Sequence, residues 1–170
     1  PTVLEPGDEV CITIMEHHSN LIPWQQACRN AGAKLVYLYP DENGIIQPEE
    51  MDKKIGPKTK ILSVVHVSNV LGVENPVVEL GRRVHEQGGY FVDGAQSTPH
   101  IPVNVEEIGA DFFALSAHKI FGPFGMGVLW GKDELLRAMP PFLTGGEMID
   151  SVTEQDATWA PVPEKFEAGT

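Results

Sequence analysis

Lys119 is the residue in this sequence best placed to do chemistry. From Phe112 to Gly131 it is the only Asp, Glu, Lys or Arg in 20 residues. Its neighbours along the chain are Phe112, Phe113, Leu115, Ile120, Phe121, Phe124 and Met126. They predict an amine in apolar surroundings. Desolvation disfavours an ammonium, and the neutral amine attacks carbonyl carbon. Schiff-base formation is the use that suits it. A lysine that snorkels from a core edge to water is the alternative.

Asp93 is the second such residue. It closes the apolar run Tyr90-Phe91-Val92 and precedes Gly94 and Ala95. A buried carboxylate needs a cationic or donor partner. A pyridinium nitrogen is one, and an Asp–pyridinium pair is what a pyridoxal phosphate site uses. A structural cap or ion pair is the other reading. Ser116 and His118 flank Lys119 and could donate to a phosphate. Gly122, Gly125 and Gly127 lack the dinucleotide-binding spacing, so they read as backbone turns.

These side chains need elements that deliver them to one place. Short β-rich runs are predicted at Glu9–Met15, Lys34–Tyr39, Ile61–Val65, Tyr90–Asp93, Asp111–Leu115 and Met126–Trp130. Helical stretches are predicted at Leu21–Ala31, Pro48–Ile55, Pro76–Gln87 and Lys132–Ala138. Pro48 and Pro76 suit first helical turns, and Gly32 and Gly88 suit left-handed caps. Asp41-Glu42-Asn43-Gly44 reads as a turn. The spacing of the first four strands fits strand–helix–strand crossovers and a mostly parallel sheet covered on both faces. The short gap between the last two strands predicts an antiparallel return, and so a mixed α/β sheet. From Phe142 to Thr170 the reading is mostly loop.

In open α/β sheets, ligands bind beyond the carboxyl ends of the strands. The strand ends here carry Glu16-His17-His18-Ser19-Asn20, then His66, Ser68 and Asn69, then Asp93 and Gln96, then Ser116, His118 and Lys119. Plain loop solvation is the competing account of each end taken singly. Cys11 and Cys28 read as packed core thiols. His85 reads as a solvated helix residue, and His100, between two prolines, as structural. Glu42, Glu49, Glu50 and Asp52 read as a wet face.

Composition narrows the partners. The 170 residues are 42% apolar and 21% charged, ordinary for a globular domain. Twelve basic against 24 acidic residues give a net charge of −12. That balance disfavours nucleic acid and anionic membranes. No apolar stretch approaches the ~20 residues of a membrane helix. Two cysteines without a Cys-x-x-C pair supply neither a disulfide framework nor a zinc signature, and a reducing cytoplasm fits. The chain starts at Pro1 rather than Met and stops on a polar Glu167-Ala168-Gly169-Thr170 tail. A piece of a longer protein is expected.

Five segments in order carry a family resemblance. They are Met15-Glu16-His17-His18-Ser19-Asn20, His66-Val67-Ser68-Asn69-Val70-Leu71-Gly72, Val92-Asp93-Gly94-Ala95-Gln96, Ser116-Ala117-His118-Lys119-Ile120-Phe121-Gly122-Pro123 and Phe166-Glu167-Ala168-Gly169-Thr170. Together they resemble the class V, fold-type I pyridoxal-phosphate enzymes. Within that class the chain is similar to the SufS-type (group II) cysteine desulfurases, also called selenocysteine lyases.

The resemblance implies a role for each matching position. Lys119 matches the lysine that holds pyridoxal 5'-phosphate as a Schiff base. His17 matches the histidine stacked on the cofactor ring; with Lys119 it is the expected catalytic pair. Asp93 matches the partner of the pyridinium nitrogen, and Gln96 the donor to the ring oxygen. Ser116 and His118 match phosphate ligands. Asn69 matches a polar residue near the cofactor or substrate carboxylate, and Thr170 one that reaches the neighbouring subunit's phosphate in a homodimer. No metal is implied. The implied substrate is L-cysteine or L-selenocysteine, with sulfur passed to an acceptor protein in iron–sulfur cluster assembly.

The chain also departs from the family. Ala117 stands where the family commonly has glycine, and the glycine run before Met148 begins with Thr144. The expected organisation is a partial large domain over residues 1–170. The family's upstream phosphate loop and its small C-terminal domain, with the persulfide cysteine and a carboxylate-binding arginine, fall outside it. Three alternatives stay open. The first is a sister class V activity, such as an aminotransferase, epimerase or selenocysteine lyase. The second is a metal-dependent hydrolase using His17, His18, His66 and Asp93. The third is a non-catalytic large-domain module.

Overall fold

The computed structural model describes residues 4–93 and 96–169, apart from the side chains of Val92 and Asp93. Two compact units divide the chain, a larger one up to Trp130 and a smaller one from Gly131.

The larger unit is built on a six-stranded sheet. Its strands are β1 (Glu9–Thr13), β2 (Lys34–Leu38), β3 (Thr59–Val64), β4 (Tyr90–Asp93), β5 (Phe112–Ser116) and β6 (Gly127–Gly131), in spatial order β2-β1-β3-β4-β5-β6. The pairs β1–β2, β1–β3, β3–β4 and β4–β5 are parallel. The end of β5 lies beside the start of β6, where the Ala117 amide donates to the Met126 carbonyl at 3.0 Å, as in a hairpin return. The expected α/β sheet is therefore observed.

Three helices connect the parallel strands: α1 (His18–Ala31), α2 (Pro48–Lys54) and α3 (Val77–Glu86). The route from β1 to β2 runs one way across the sheet, and the routes from β2 to β3 and β3 to β4 run the other. With right-handed crossovers, α1 must then cover one face and α2 and α3 the opposite face. The cores show this division. Val10, Ile12 and Ile61 pack with Cys28, Leu21 and Trp24 of α1. Cys11, Leu62, Val64 and Phe91 pack with Met51 of α2 and Val77, Leu80 and Val84 of α3. Adjacent strand residues thus face different cores, so the strands read as continuous apolar runs. Each fully buried Leu or Phe contributes about 1.5–3 kcal/mol.

Local signals held where caps were strong. Gly32 closes α1 in the left-handed region at φ 67°, and its amide donates to the Cys28 carbonyl. The Asp41 carboxylate accepts the amides of Asn43 and Ile45 at 2.9 Å, closing the predicted turn. One boundary moved with consequence: α1 begins at His18 rather than Leu21, because His17 caps it.

The smaller unit contains α4 (Asp133–Ala138) and an antiparallel hairpin of β7 (Ile149–Val152) and β8 (Ala157–Trp159). The loop expected over this stretch is corrected by that hairpin, whose turn is closed by the Thr153 amide on the Asp156 carbonyl at 2.8 Å. Lys165 is buried, and its ammonium donates to the Arg137 carbonyl near the end of α4 at 2.9 Å. Among the described residues no helix is long and apolar enough to cross a membrane.

Candidate active site

The parallel register sets the carboxyl ends of β1, β3, β4 and β5 along one edge. Strand order reverses between β1 and β3, which makes this edge the switch point of the sheet.

Beyond β1 lies a buried carboxylate. Glu16 accepts from Thr13 Oγ1 at 2.6 Å, Asn20 Nδ2 at 2.7 Å and the Val65 amide at 2.9 Å. Asn20 Oδ1 in turn accepts from Trp24 Nε1 at 3.0 Å and Ser63 Oγ at 2.7 Å. Burial pushes the Glu16 carboxyl above its ordinary range, and the bonds from Thr13, Asn20 and Val65 pull part of the way back. The network ties β1, α1 and β3 together through Glu16, the residue before His17. His17 itself is exposed, and its Nδ1 accepts the Ser19 amide at 3.2 Å.

Beyond β3, His66 is buried and turns Nε2 toward the Glu74 carboxylate at 3.4 Å. Burial lowers its pKa, and Glu74 opposes that. Ser68 Oγ accepts the amides of Val70 and Leu71, which shapes the following loop. That loop forms a cavity of about 480 Å³ whose lining includes Ser68, Asn69, Gln96 and His100. The structure therefore brings two expected site residues, Asn69 and Gln96, to one pocket. It adds His100, which the sequence reading took as structural. The nearby Pro99 and Pro102 carry no signal for this placement.

Beyond β5, a 3₁₀ turn over Ala117–Ile120 carries His118 and Lys119, with Ser116 at its start. The turn is fastened by the Gly122 amide on the Ala117 carbonyl at 2.8 Å. A Cβ on Gly122 would lie 2.9 Å from the Ala117 methyl, so the two positions fit only because one has no side chain. The His118 ring stacks on Phe124 with centroids 5.2 Å apart.

The predicted greasy shell around Lys119 needs correction. Phe113 is in the core, but Phe121, Phe124 and Met126 are exposed at 106%, 87% and 62%. Phe113 lies within β5, whereas the other three lie in the connection from the Ala117–Ile120 turn to β6. Lys119 is half-buried, and among the described residues no side chain or carbonyl accepts from its amine. His85 is also corrected. It binds the buried Asp111 carboxylate at 2.7 Å instead of standing free in solvent.

The donor set on this edge suits a phosphorylated pyridine aldehyde: an amine, a hydroxyl, imidazoles and two amides. Next to Gln96, Ser97 Oγ and Thr98 Oγ1 are buried and have no hydrogen-bond partner among the described residues. Two further expected residues, the Asp93 carboxylate and Thr170, lie outside the described residues. The hydrolase alternative is not favoured among the described residues, where His17 caps a helix while His66 faces Glu74. Among the described residues no three His, Cys, Asp or Glu side chains gather as a metal site.

This fold and edge are those of a known class. The chain belongs to the class-V aminotransferase family, whose model matches residues 1–170. It is 54% identical over 168 residues to a cysteine desulfurase of Haloferax volcanii, covering 98% of this chain and 39% of that protein. It is 53% identical to a probable cysteine desulfurase of Halalkalibacterium halodurans, covering 98% of this chain and 41% of that protein. The chain thus spans about two fifths of the length of these curated relatives. Among solved structures, the cysteine desulfurase CsdA from Escherichia coli superposes with a TM-score of 0.95 at 38% identity, covering 98% of this chain and 42% of that chain. The apo cysteine desulfurase from Thermococcus onnurineus NA1 gives a TM-score of 0.93 at 40% identity, covering 99% of this chain and 42% of that chain.

Proposed function

We propose that this chain is the cofactor-binding part of a pyridoxal-phosphate-dependent cysteine desulfurase of the SufS type. The observation that carries the proposal is the Lys119 amine. It is half-buried, has no acceptor among the described residues, and sits on the same sheet edge as His17, Asn69 and Gln96. The naming of relatives at 54% and 53% identity as cysteine desulfurases supports it.

Pyridoxal phosphate, when bound, supplies an aldehyde for amine condensation and an electron sink for the substrate's α carbon. Lys119 would supply the amine that holds the cofactor's aldehyde and, as a free amine, the base for the substrate's α proton. His17 would cover the ring. Asp93 would keep the ring nitrogen protonated, and Gln96 would donate to the ring oxygen. Ser116 and His118 would hold the phosphate. Asn69 would serve the ring or the substrate carboxylate, and Thr170 the phosphate of a second subunit in a homodimer. L-cysteine becomes L-alanine as its sulfur passes to a cysteine thiolate, forming a persulfide. Cys11 and Cys28 are unsuited to that attack. Both are buried, and burial pushes the Cys11 thiol up to about 12. The attacking thiolate therefore belongs to another part of the protein, where the small C-terminal domain and the phosphate loop are also placed. Cytoplasmic sulfur delivery to an acceptor protein for iron–sulfur assembly completes the reading.

The test is the visible spectrum of the intact protein before and after borohydride, with peptide mapping and Lys119→Ala as control. A yellow band that borohydride bleaches, with the cofactor fixed to the Lys119 peptide, is expected. A colourless protein, or attachment at another lysine, overturns the proposal. Alanine as product marks a lyase, and a keto acid would mark an aminotransferase.

A further inference from the structure

His17 is an unusual residue to begin a helix. Ser, Thr, Asp and Asn are the preferred caps, because a short side-chain oxygen reaches the free amides of the first turn. Here the cap is an imidazole nitrogen. His17 Nδ1 accepts the Ser19 amide at 3.2 Å and lies 2.8 Å from Ser19 Oγ. The backbone at His17 is extended, with φ −62° and ψ 148°, as a cap requires.

These two contacts decide where the ring proton is. A neutral imidazole has one N–H and one bare nitrogen. A backbone amide can only donate, so the nitrogen it meets is bare. The Ser19 hydroxyl, able to donate or accept, then donates to the same atom. The proton is left on Nε2. Glu16, the preceding residue, is locked by three bonds to Thr13, Asn20 and Val65, which fixes the backbone on which this arrangement hangs.

We propose that Ser19 is a positioning residue that holds His17 as its Nε2–H tautomer. Nδ1 is engaged by the helix, and the imidazole offers a hydrogen-bond donor outward instead of a lone pair. The inference rests on the reading of His17 as a residue of the pyridoxal phosphate site. In that setting His17 gives a proton or a hydrogen bond and does not act as the base, a task left to Lys119.

The test is the imidazole nitrogen spectrum of the intact, cofactor-free protein labelled at histidine, with His17 assigned by its loss in His17→Gln. A bare Nδ1 and a protonated Nε2 are expected. A protonated Nδ1, or equal amounts of the two tautomers, overturns the proposal. Ser19→Ala keeps the amide but loses the hydroxyl. It should raise the Nδ1–H population and lower kcat by about threefold to tenfold, the effect of one hydrogen bond, with KM unchanged. Ser19→Thr should restore both. An unchanged spectrum and kcat in Ser19→Ala overturn the role of the hydroxyl. Failure of the cofactor reading is registered separately, by a colourless protein.

Discussion

The Glu16 carboxylate accepts the Val65 amide at 2.9 Å across 49 positions of sequence. This bond pins the segment after β1 to the segment after β3, and both lead into candidate site residues. Glu16→Ala would strip partners from Thr13, Asn20 and Val65 at once. Leaving buried donors unsatisfied costs about 1–3 kcal/mol. We expect a stability loss of that size in urea unfolding of the intact protein, with weaker cofactor retention. Unfolding at the wild-type midpoint contradicts this.

The same carboxyl has a signed effect on pH dependence. Burial holds it above its ordinary 4.5. The folded state therefore binds this proton more tightly than the unfolded chain does. The stability Glu16 contributes is fully present below 4.5 and is lost as pH rises through the folded value. Glu16→Gln removes the titration. The stability of the wild type relative to Glu16→Gln should fall as pH rises through that window and level off above it. A flat difference in urea midpoints across the series sinks the prediction.

Gly122 and Ala117 are fitted to one another. Gly122→Ala places a methyl 2.9 Å from the Ala117 methyl and 3.0 Å from its carbonyl oxygen. The turn bearing Lys119 must shift, at a cost of about 1–3 kcal/mol for overpacking. Cofactor attachment at Lys119, read by borohydride trapping, should drop in this variant. The added change Ala117→Gly should recover part of it, because it removes the methyl–methyl contact. Full attachment in Gly122→Ala alone speaks against the fit.

The two thiols should be silent in the folded protein. Cys11 is buried in the β1 core with its pKa pushed up to about 12, and burial raises Cys28 as well. Alkylation at neutral pH followed by peptide mapping should leave both unlabelled, and denaturant should expose both. Rapid labelling of either one in the native state would exclude its place in the core.

Much of this was legible in the sequence, for physical reasons that differ by element. Val10, Cys11 and Ile12 serve two cores in turn, so β1 shows as an unbroken apolar run. The start of α1 was not legible. Its cap is a histidine, and Pro23 lies inside the helix, where it argues for a later beginning. The β7–β8 hairpin was hidden because Ile149–Val152 is exposed throughout and shows no inward–outward contrast. The strand-end residues are legible from their position past the predicted strands, but their surroundings are not. Phe113 and Phe124 look alike in the sequence and face opposite fates, because one lies within β5 and the other in the connection beyond it.

The order of strands also bears on biosynthesis. After β3 is in place beside β1, every later strand of the sheet pairs with the one made just before it. The growing polypeptide can therefore add β4, β5 and β6 one at a time to a single flank as it leaves the ribosome. The residues that brace the His17 segment, Thr13, Asn20 and Val65, all precede Lys119 in the chain. Synthesis thus makes the whole polar brace around Glu16 before it reaches the reactive amine.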